Sequence, residues 1–389
     1  MERHLLLVII LAFLMASLAA ILTPYIPLYG EDIGLPISTI GYVVALYHLA
    51  QFLGRIPMGT FSDIIGYRKM ISLGGLSLLL AAIFYIISSA YPPLLFLAQV
   101  LLGLSVCMEW VTLPAYVSRF GEGKIPILTF ITGWAYTFSV PLGGFFKDKF
   151  GMDFLFYWAF FTAIVALFII GLLWKEAPAQ DETENNDLAS HSIISIYKSS
   201  FKTLKDTRVL RASLYSFLMF MNFNIALSLF PLRLSGLGFS AAIIGLLQFS
   251  RAGASSSIRL LSPRIEGKIG RNKILKYGTL IAGFSLMLIS LVNSFPALII
   301  ISLIWGLSSG FYAPVVYGMV TDGTTIKDRG RGMGIRGTMG TLGSFLGIII
   351  FSNIAELVSV PTGMVLAGAL TVVGVIILEL VLKREYIKI

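Results

Sequence analysis

The sequence predicts an all-α integral membrane protein of twelve transmembrane helices, arranged as two pseudo-symmetric six-helix lobes with both termini in the cytoplasm. Three observations predict it. Across 389 residues the chain is 57% hydrophobic and only 13% charged, with a mean hydropathy of +0.87, too apolar for a surface that faces water. Twelve apolar runs approach the roughly 20 residues that a helix needs to cross a ~30 Å hydrocarbon core. Residues 13–143 also reappear, at a constant offset of 204 positions, as residues 217–347.

The runs lie near residues 4–29, 38–61, 69–90, 93–118, 126–146 and 153–174, then 209–233, 240–264, 273–294, 296–320, 332–354 and 359–382. The first imitates a cleavable signal peptide, because Arg3-His4 precedes an apolar run that reaches Ala16-Ser17-Leu18-Ala19. The repeat argues for a retained helix: Phe13-Leu14-Met15 and Pro27-Leu28 have partners in Phe217-Leu218-Met219 and Pro231-Leu232. Between the sixth and seventh runs the chain turns polar, with Asp181-Glu182-Thr183-Glu184-Asn185-Asn186-Asp187. The predicted organisation is therefore a lobe at 1–174, a cytoplasmic linker at 175–207 and a second lobe at 208–389.

Leu and Ile matches are cheap in an apolar chain, so the repeat rests on residues whose backbone or charge is not freely exchanged. Gly34 meets Gly238, Gly41 meets Gly245, Arg55 meets Arg259, Gly66 meets Gly270, Lys69 meets Lys273, Gly133 meets Gly337 and Gly143 meets Gly347. Parallel repeats of this kind are related by an axis along the membrane normal.

A net charge of +9 raises the question of a nucleic-acid partner. The placement of the 29 basic residues answers it, since a cytoplasmic N-terminus puts 23 of them in cytoplasmic segments and only Lys147, Lys149 and Arg233 outside. That asymmetry is a topology signal and excludes a nucleic-acid reading. The sole cysteine, Cys107, lies within the fourth run, so neither an intrachain disulfide nor a cysteine metal cluster is available.

Between the second and third runs stands Gly59-Thr60-Phe61-Ser62-Asp63-Ile64-Ile65-Gly66-Tyr67-Arg68-Lys69. Gly59 allows close helix approach, Asp63 places one charge at the cytoplasmic edge, and Gly66 permits a tight turn that Arg68 and Lys69 hold on that side. The segment resembles the G-x-x-x-D-R-x-G-R-R loop of the major facilitator superfamily, although Ile64 and Tyr67 replace two basic residues of that pattern. Pro24-Tyr25-Ile26-Pro27-Leu28-Tyr29, Arg55-Ile56-Pro57-Met58-Gly59 and Arg329-Gly330-Arg331-Gly332 extend the resemblance over essentially the whole chain. It implies a cytoplasmic gate in which Asp63 faces the positive end of the helix beginning near Gly332, with Arg119 as a further partner. In the second half Gly267 takes the aspartate's place, one residue after Glu266. Arg55 and Arg259, matched by the repeat, read as scaffold residues of the same gate.

Charge inside a bilayer costs several kcal/mol, so each intramembrane ionisable group is a functional candidate. Glu109 in the fourth run is the leading proton site, because a carboxyl in low dielectric can take a proton from one side and release it to the other. The alternative is a packing role beside Arg or backbone. Arg251 offers either that partner or an anchor for an anionic solute, and His48 either a packing contact or a proton relay. Tyr25, Trp110, Trp134, Tyr136, Asn222, Asn224, Gln248, Trp305 and Tyr312 complete the candidates for a substrate cavity, as stacking faces or hydrogen-bonding groups. Asn222 and Asn224 are two apart and cannot share one helix face.

The resemblance and the composition together imply a secondary transporter that moves a small solute by alternating access. A proton or other ion drives it, because the chain has no Walker-type phosphate loop and requires no cofactor. Val140-Pro141-Leu142-Gly143-Gly144 partly resembles the antiporter element of that family and inclines the reading toward export, drug efflux included, over symport or uniport of a sugar or organic anion. The expected setting is the plasma membrane, as a monomer in lipid. An enzyme acting on lipids is disfavoured by the three histidines and one cysteine, and a non-transporting sensor by the short linker and termini.

Overall fold

The computed structural model describes residues 2–118, 124–176, 193–259, 261–325 and 328–386. Seven helices make up the first half: α1 (Glu2–Leu22), α2 (Ile26–Asp32), α3 (Ile37–Ile65), α4 (Tyr67–Ser88), α5 (Leu94–Ser118), α6 (Lys124–Phe150) and α7 (Met152–Glu176). A short helix α8 (Ile193–Lys202) precedes α9 (Thr207–Ser235), α10 (Ala241–Arg259), α11 (Ser262–Ile269) and α12 (Arg271–Leu291). The chain continues through α13 (Phe295–Gly310), α14 (Tyr312–Asp322), α15 (Arg329–Leu357) and α16 (Val360–Tyr386). Among the described residues ten helical stretches are long and apolar enough to cross a membrane, two fewer than the expected twelve. The runs at 126–146 and 240–264 are those that fall short, although α6 and α10 occupy them as long helices.

Three predicted runs are broken, each at a proline. The first ends as a regular helix at Leu22 and restarts at Ile26, because Pro24 cannot donate a backbone hydrogen bond and disfavours helical geometry at Thr23. At the repeat-equivalent site the chain has Ser228, and α9 continues unbroken through Pro231. The tenth run divides at Phe311, where Pro314, four residues after Gly310, leaves the Gly310 carbonyl without its helical donor. The eighth stops at Arg259, and Pro263 opens the separate α11 at its first turn, where proline is tolerated.

The repeat survives in backbone geometry. Gly34 and Gly238 have φ of 75° and 82°, while Gly66 and Gly270 have 90° and 85°, values that L side chains rarely adopt. Both pairs stand at the 204-residue offset and turn the chain between equivalent helices.

Within the first half α4 packs on α5 and α7, α3 on α5, and α1 on α6; in the second, α12 packs on α16, α10 on α13, and α9 on α15. Two seams join the halves, α3 against α15 and α6 against α10. Glycines set their closeness. A Cβ added at Gly41 would lie 2.3 Å from Ser352 Cβ, and one at Gly245 would lie 2.9 Å from Pro141 Cα. Inside each half a further matched contact holds α3 or α10 to its neighbour: Gly103 lies against the Tyr47 carbonyl and Gly306 against the Arg251 carbonyl, where added Cβ atoms would come within 2.4 and 2.2 Å.

Candidate functional site

The ends of the two seams that carry Pro36 and Gly238 are sealed by reciprocal helix caps. Asp148, at the end of α6, accepts from the backbone N–H of Ala241 at 2.9 Å and of Ala242 at 2.7 Å. Glu356, at the end of α15, accepts from Ile37 N at 2.6 Å and Ser38 N at 3.3 Å. Carboxylates belong there, because the first N–H groups of a helix lack internal acceptors and the macrodipole is positive. Tyr42 adds a hydrogen bond to Asn353 at 2.9 Å, and Lys147 pairs with Asp32 at 2.7 Å. None of these capping acids stood among the sequence candidates. The signal was present as an acidic residue near the end of the fifth and eleventh runs, but the two are offset by one helical turn in the repeat and do not align.

Tyr25 lies at this closure, fully buried, and donates its hydroxyl to the Val140 carbonyl. Cβ atoms added at Gly143, Gly144 and Gly245 would all come within 2.8 Å of its ring or hydroxyl. The expectation of a cavity-lining Tyr25 is corrected: the ring fills the junction of α1, α6 and α10.

The opposite ends of the seams differ from each other. On α3–α15, Arg55 lies on Gly337, where an added Cβ would be 2.5 Å from Nη1, and donates to Gln51 at 3.4 Å. Ile56, Ile335 and Val209 pack together beside it, and Tyr197 of α8 donates to the Leu53 carbonyl at 2.7 Å. The repeat-equivalent pair, Arg259 and Gly133, makes no such contact. Arg259 is exposed and reaches Ser255 at 3.5 Å, while a Cβ at Gly133 or Gly253 would meet no atom of the described residues within 4 Å. Among the described residues the α6–α10 seam thus has no counterpart of the Arg55–Gly337 contact at the Arg259 end, and Phe138 meets Phe249 across it with ring centroids 6.0 Å apart.

Between these ends, near the middle of α10, lies Arg251, 2% exposed. Its Nε donates to Gln248 Oε1 at 3.0 Å, and its guanidinium stands 4.4 Å from the Phe223 ring centroid and 5.4 Å from that of Trp305. Gln248 is held by donating to the Ala226 carbonyl at 3.2 Å, and Trp305 by donating to Asn222 Oδ1 at 3.1 Å. Asn222 donates in turn to the Ala282 carbonyl at 3.3 Å. Asn224 points elsewhere, to Ser344 at 2.8 Å, as the two-residue spacing requires. Tyr136 of α6 faces Arg251 across the seam. The two interact, but among the described residues neither the Tyr136 hydroxyl nor Arg251 Nη2 has a partner at full hydrogen-bond geometry, and no carboxylate pairs with Arg251. Phe223, one wall of this arrangement, carried no sequence signal beyond its place between two asparagines.

The remaining candidates are dispersed. Glu109 is buried and accepts from Ser105 Oγ at 2.8 Å, on the face of α5 turned to Gly74 of α4. It lies within the first half and does not meet Arg251. His48 is buried with its ring edge-on to Tyr47 at 4.9 Å. Trp110 is 57% exposed, in helical phase between the face of Gly103 and Cys107 and that of Val106 and Leu113. Trp134 is half-buried and stacks on Phe138 at 5.0 Å, between the exposed rings of Phe130 and Phe138 on α6. Tyr312 hydrogen bonds to Ser216 and accepts from Arg336 at 3.2 Å, a bridge among α14, α9 and α15. In the loop motif Gly59 lies 3.5 Å, as a Cβ, from Val111, and Lys69 is exposed. Arg68 is buried, its guanidinium 5.4 Å from the Trp174 ring centroid. The expectations for the Asp63 side chain and for Arg119 lie outside the described residues.

The arrangement of helices in two halves that meet along seams is shared with known proteins. A family model described as Major Facilitator Superfamily matches residues 6–292 and 212–388. An MFS-type transporter of Methanocaldococcus jannaschii is 20% identical over 400 residues, covering 99% of each chain. The quinolone resistance protein NorA of Staphylococcus aureus is 26% identical over 160 residues, 41% of each chain. Among solved structures, a POT family transporter in complex with 5-aminolevulinic acid superimposes with a TM-score of 0.77 at 12% identity, covering 97% of this chain and 96% of that one. The chain belongs to the Major Facilitator Superfamily and is a multi-pass membrane transporter.

Proposed function

We propose that the chain is a secondary transporter of the plasma membrane, with twelve spans in two six-helix lobes (1–174 and 208–389), that exports a small organic solute as a monomer by alternating access. The observation that carries this reading is the inequality of the seams. Both are capped at the end of Asp148 and Glu356, while among the described residues only α3–α15 is also closed at its other end, by Arg55 on Gly337. With the basic residues concentrated on the cytoplasmic side, the capped end is extracellular and the end of α6–α10 that lacks this contact faces the cytoplasm. A lobe interface closed at one face and opening at the other is what alternating access requires.

The proton is the proposed coupling ion. Glu109 is a buried carboxyl whose only hydrogen bond is to a serine hydroxyl, with no basic partner among the described residues. The partial likeness to a quinolone resistance protein supports the export direction. Flux measured in proteoliposomes with and without an imposed pH gradient tests both points. Gradient-independent flux in the wild type would remove proton coupling, and undiminished gradient dependence in Glu109→Gln would remove Glu109 from it.

A further inference from the structure

We infer that Arg251 and Tyr136 form the anion-binding point of the transport path, so that the transported solute carries a carboxylate or comparable oxyanion. This rests on the transporter reading above and specifies its substrate class.

A guanidinium buried without a counter-ion is costly, and folded proteins pair such charges. Arg251 is 2% exposed, and its partners among the described residues are neutral: the Gln248 side-chain oxygen, the Tyr136 hydroxyl that faces it, and the rings of Phe223 and Trp305. These hold the planar group in one orientation and leave terminal Nη2 without a partner of full hydrogen-bond geometry. Tyr136 brings a hydroxyl from the other half of the chain that faces Arg251 and has no partner of full hydrogen-bond geometry. A guanidinium nitrogen and a phenol O–H side by side, contributed from both sides of a seam with no carboxylate of the described residues between them, can both donate to the two oxygens of a carboxylate. At Arg55 and Arg336 the nitrogen without a partner is Nε, and each terminal fork is already engaged, by Gln51 and by Tyr312.

The fold does not need a cation at this place. The repeat equivalent of Arg251 is Tyr47, and the carbonyl of each is packed by a glycine of the neighbouring helix, Gly103 or Gly306. The same backbone niche is filled in one half by a neutral phenol and in the other by a charge. The charge therefore answers to something other than packing. Its depth, about halfway along α10, is where carriers of this type bind substrate. Because Tyr136 is on α6 and Arg251 on α10, an anion bridging them ties the two halves together across this seam, which couples occupancy to closure.

The test uses the full-length protein, purified in detergent, and pairs of probes alike in shape but not in charge: benzoate with benzamide, succinate with succinamide, and inorganic phosphate. The expected result is a rise in melting temperature with at least one anion and none with its neutral twin. Tyr136→Phe should bind that anion about tenfold more weakly, the loss of one charge-assisted hydrogen bond. Arg251→Gln should abolish the response and melt higher than the wild type without ligand, because an uncompensated buried charge has been removed. A structural arginine predicts the opposite, a lower melting temperature for Arg251→Gln. Equal shifts with charged and neutral twins, an unchanged response in Arg251→Gln, or no response to any of the anions would overturn the proposal. Anion binding without flux in proteoliposomes would instead refute the transporter reading and leave the site standing.

Discussion

Asp148 and Glu356 cap repeat-equivalent helix starts from opposite halves of the chain: Asp148 takes the N–H groups of Ala241 and Ala242, and Glu356 those of Ile37 and Ser38, each 204 residues earlier. The carboxylates themselves are not repeat partners. A pseudo-symmetric closure has thus been built from two acids displaced by one helical turn, because what must be matched is the position of the charge and not the register of the helix that bears it.

Removing either cap should loosen its own seam. Asp148→Asn is expected to speed hydrogen exchange at amides 241–246 by about fivefold while leaving 37–42 unchanged, and Glu356→Gln to do the reverse, given a cap contribution of ~1 kcal/mol. Exchange followed by mass spectrometry on each variant checks this, and equal acceleration at both sites would show the two caps to be one cooperative unit.

Two glycines of α6 should respond oppositely to alanine. A Cβ at Gly144 would lie 2.2 Å from the Ala241 carbonyl oxygen, so Gly144→Ala should cost about 1–3 kcal/mol through forced separation of α6 and α10. Gly133 has open space around it, and Gly133→Ala should be neutral or stabilise by ~0.5–1 kcal/mol through helix propensity. Thermal unfolding of both in the same detergent is the comparison, and a larger loss for Gly133→Ala would contradict the open space at Gly133.

Trp305→Phe keeps an aromatic wall for Arg251 but leaves Asn222 Oδ1 without its donor. A buried acceptor so orphaned should cost about 1–3 kcal/mol. The double variant with Asn222→Leu should recover part of that loss, and strict additivity in the double-mutant cycle would rule out the coupling.

The start of α9 should be acid-sensitive. Hydrogen bonding from Arg208, then from the backbone N–H groups of Arg208 and Val209, holds the Asp206 carboxyl below its ordinary value against the opposing effect of burial. Since the folded value lies below the unfolded one of about 3.9, its stabilisation is fully present above that pH and is lost as pH falls through the folded value. The melting temperature of Asp206→Asn should therefore converge with that of the wild type on acidification and lie below it at neutral pH.

Much of the architecture was legible in the chain. The 204-residue offset named the glycine pairs at which the backbone turns left-handed, because φ near +80° leaves few alternatives to glycine. It also picked out Tyr47 and Arg251 as equivalent positions with different contents, and the two carbonyls do occupy matching niches. Less of the site was legible. Tyr25 and Trp134 had the composition of cavity residues, yet Tyr25 is fully buried at a helix junction and Trp134 is half-buried against Phe138 of its own helix. Which way a ring points depends on the phase of its helix against a neighbour, and hydropathy does not carry that phase.

By itself, then, the sequence determined the number and order of the apolar runs, the duplication, and the sidedness of charge, since these follow from local chain chemistry and the thickness of a bilayer. Only the tertiary structure decided that Asp148 and Glu356 close one end, that Arg55 rests on Gly337 while Arg259 has no counterpart contact at Gly133, and that Arg251 lies beside Tyr136 without an acid. Each of these is a contact between helices from different halves, separated by about 100 residues or more, and its existence depends on how two rigid bodies are tilted against each other. No local propensity encodes that tilt.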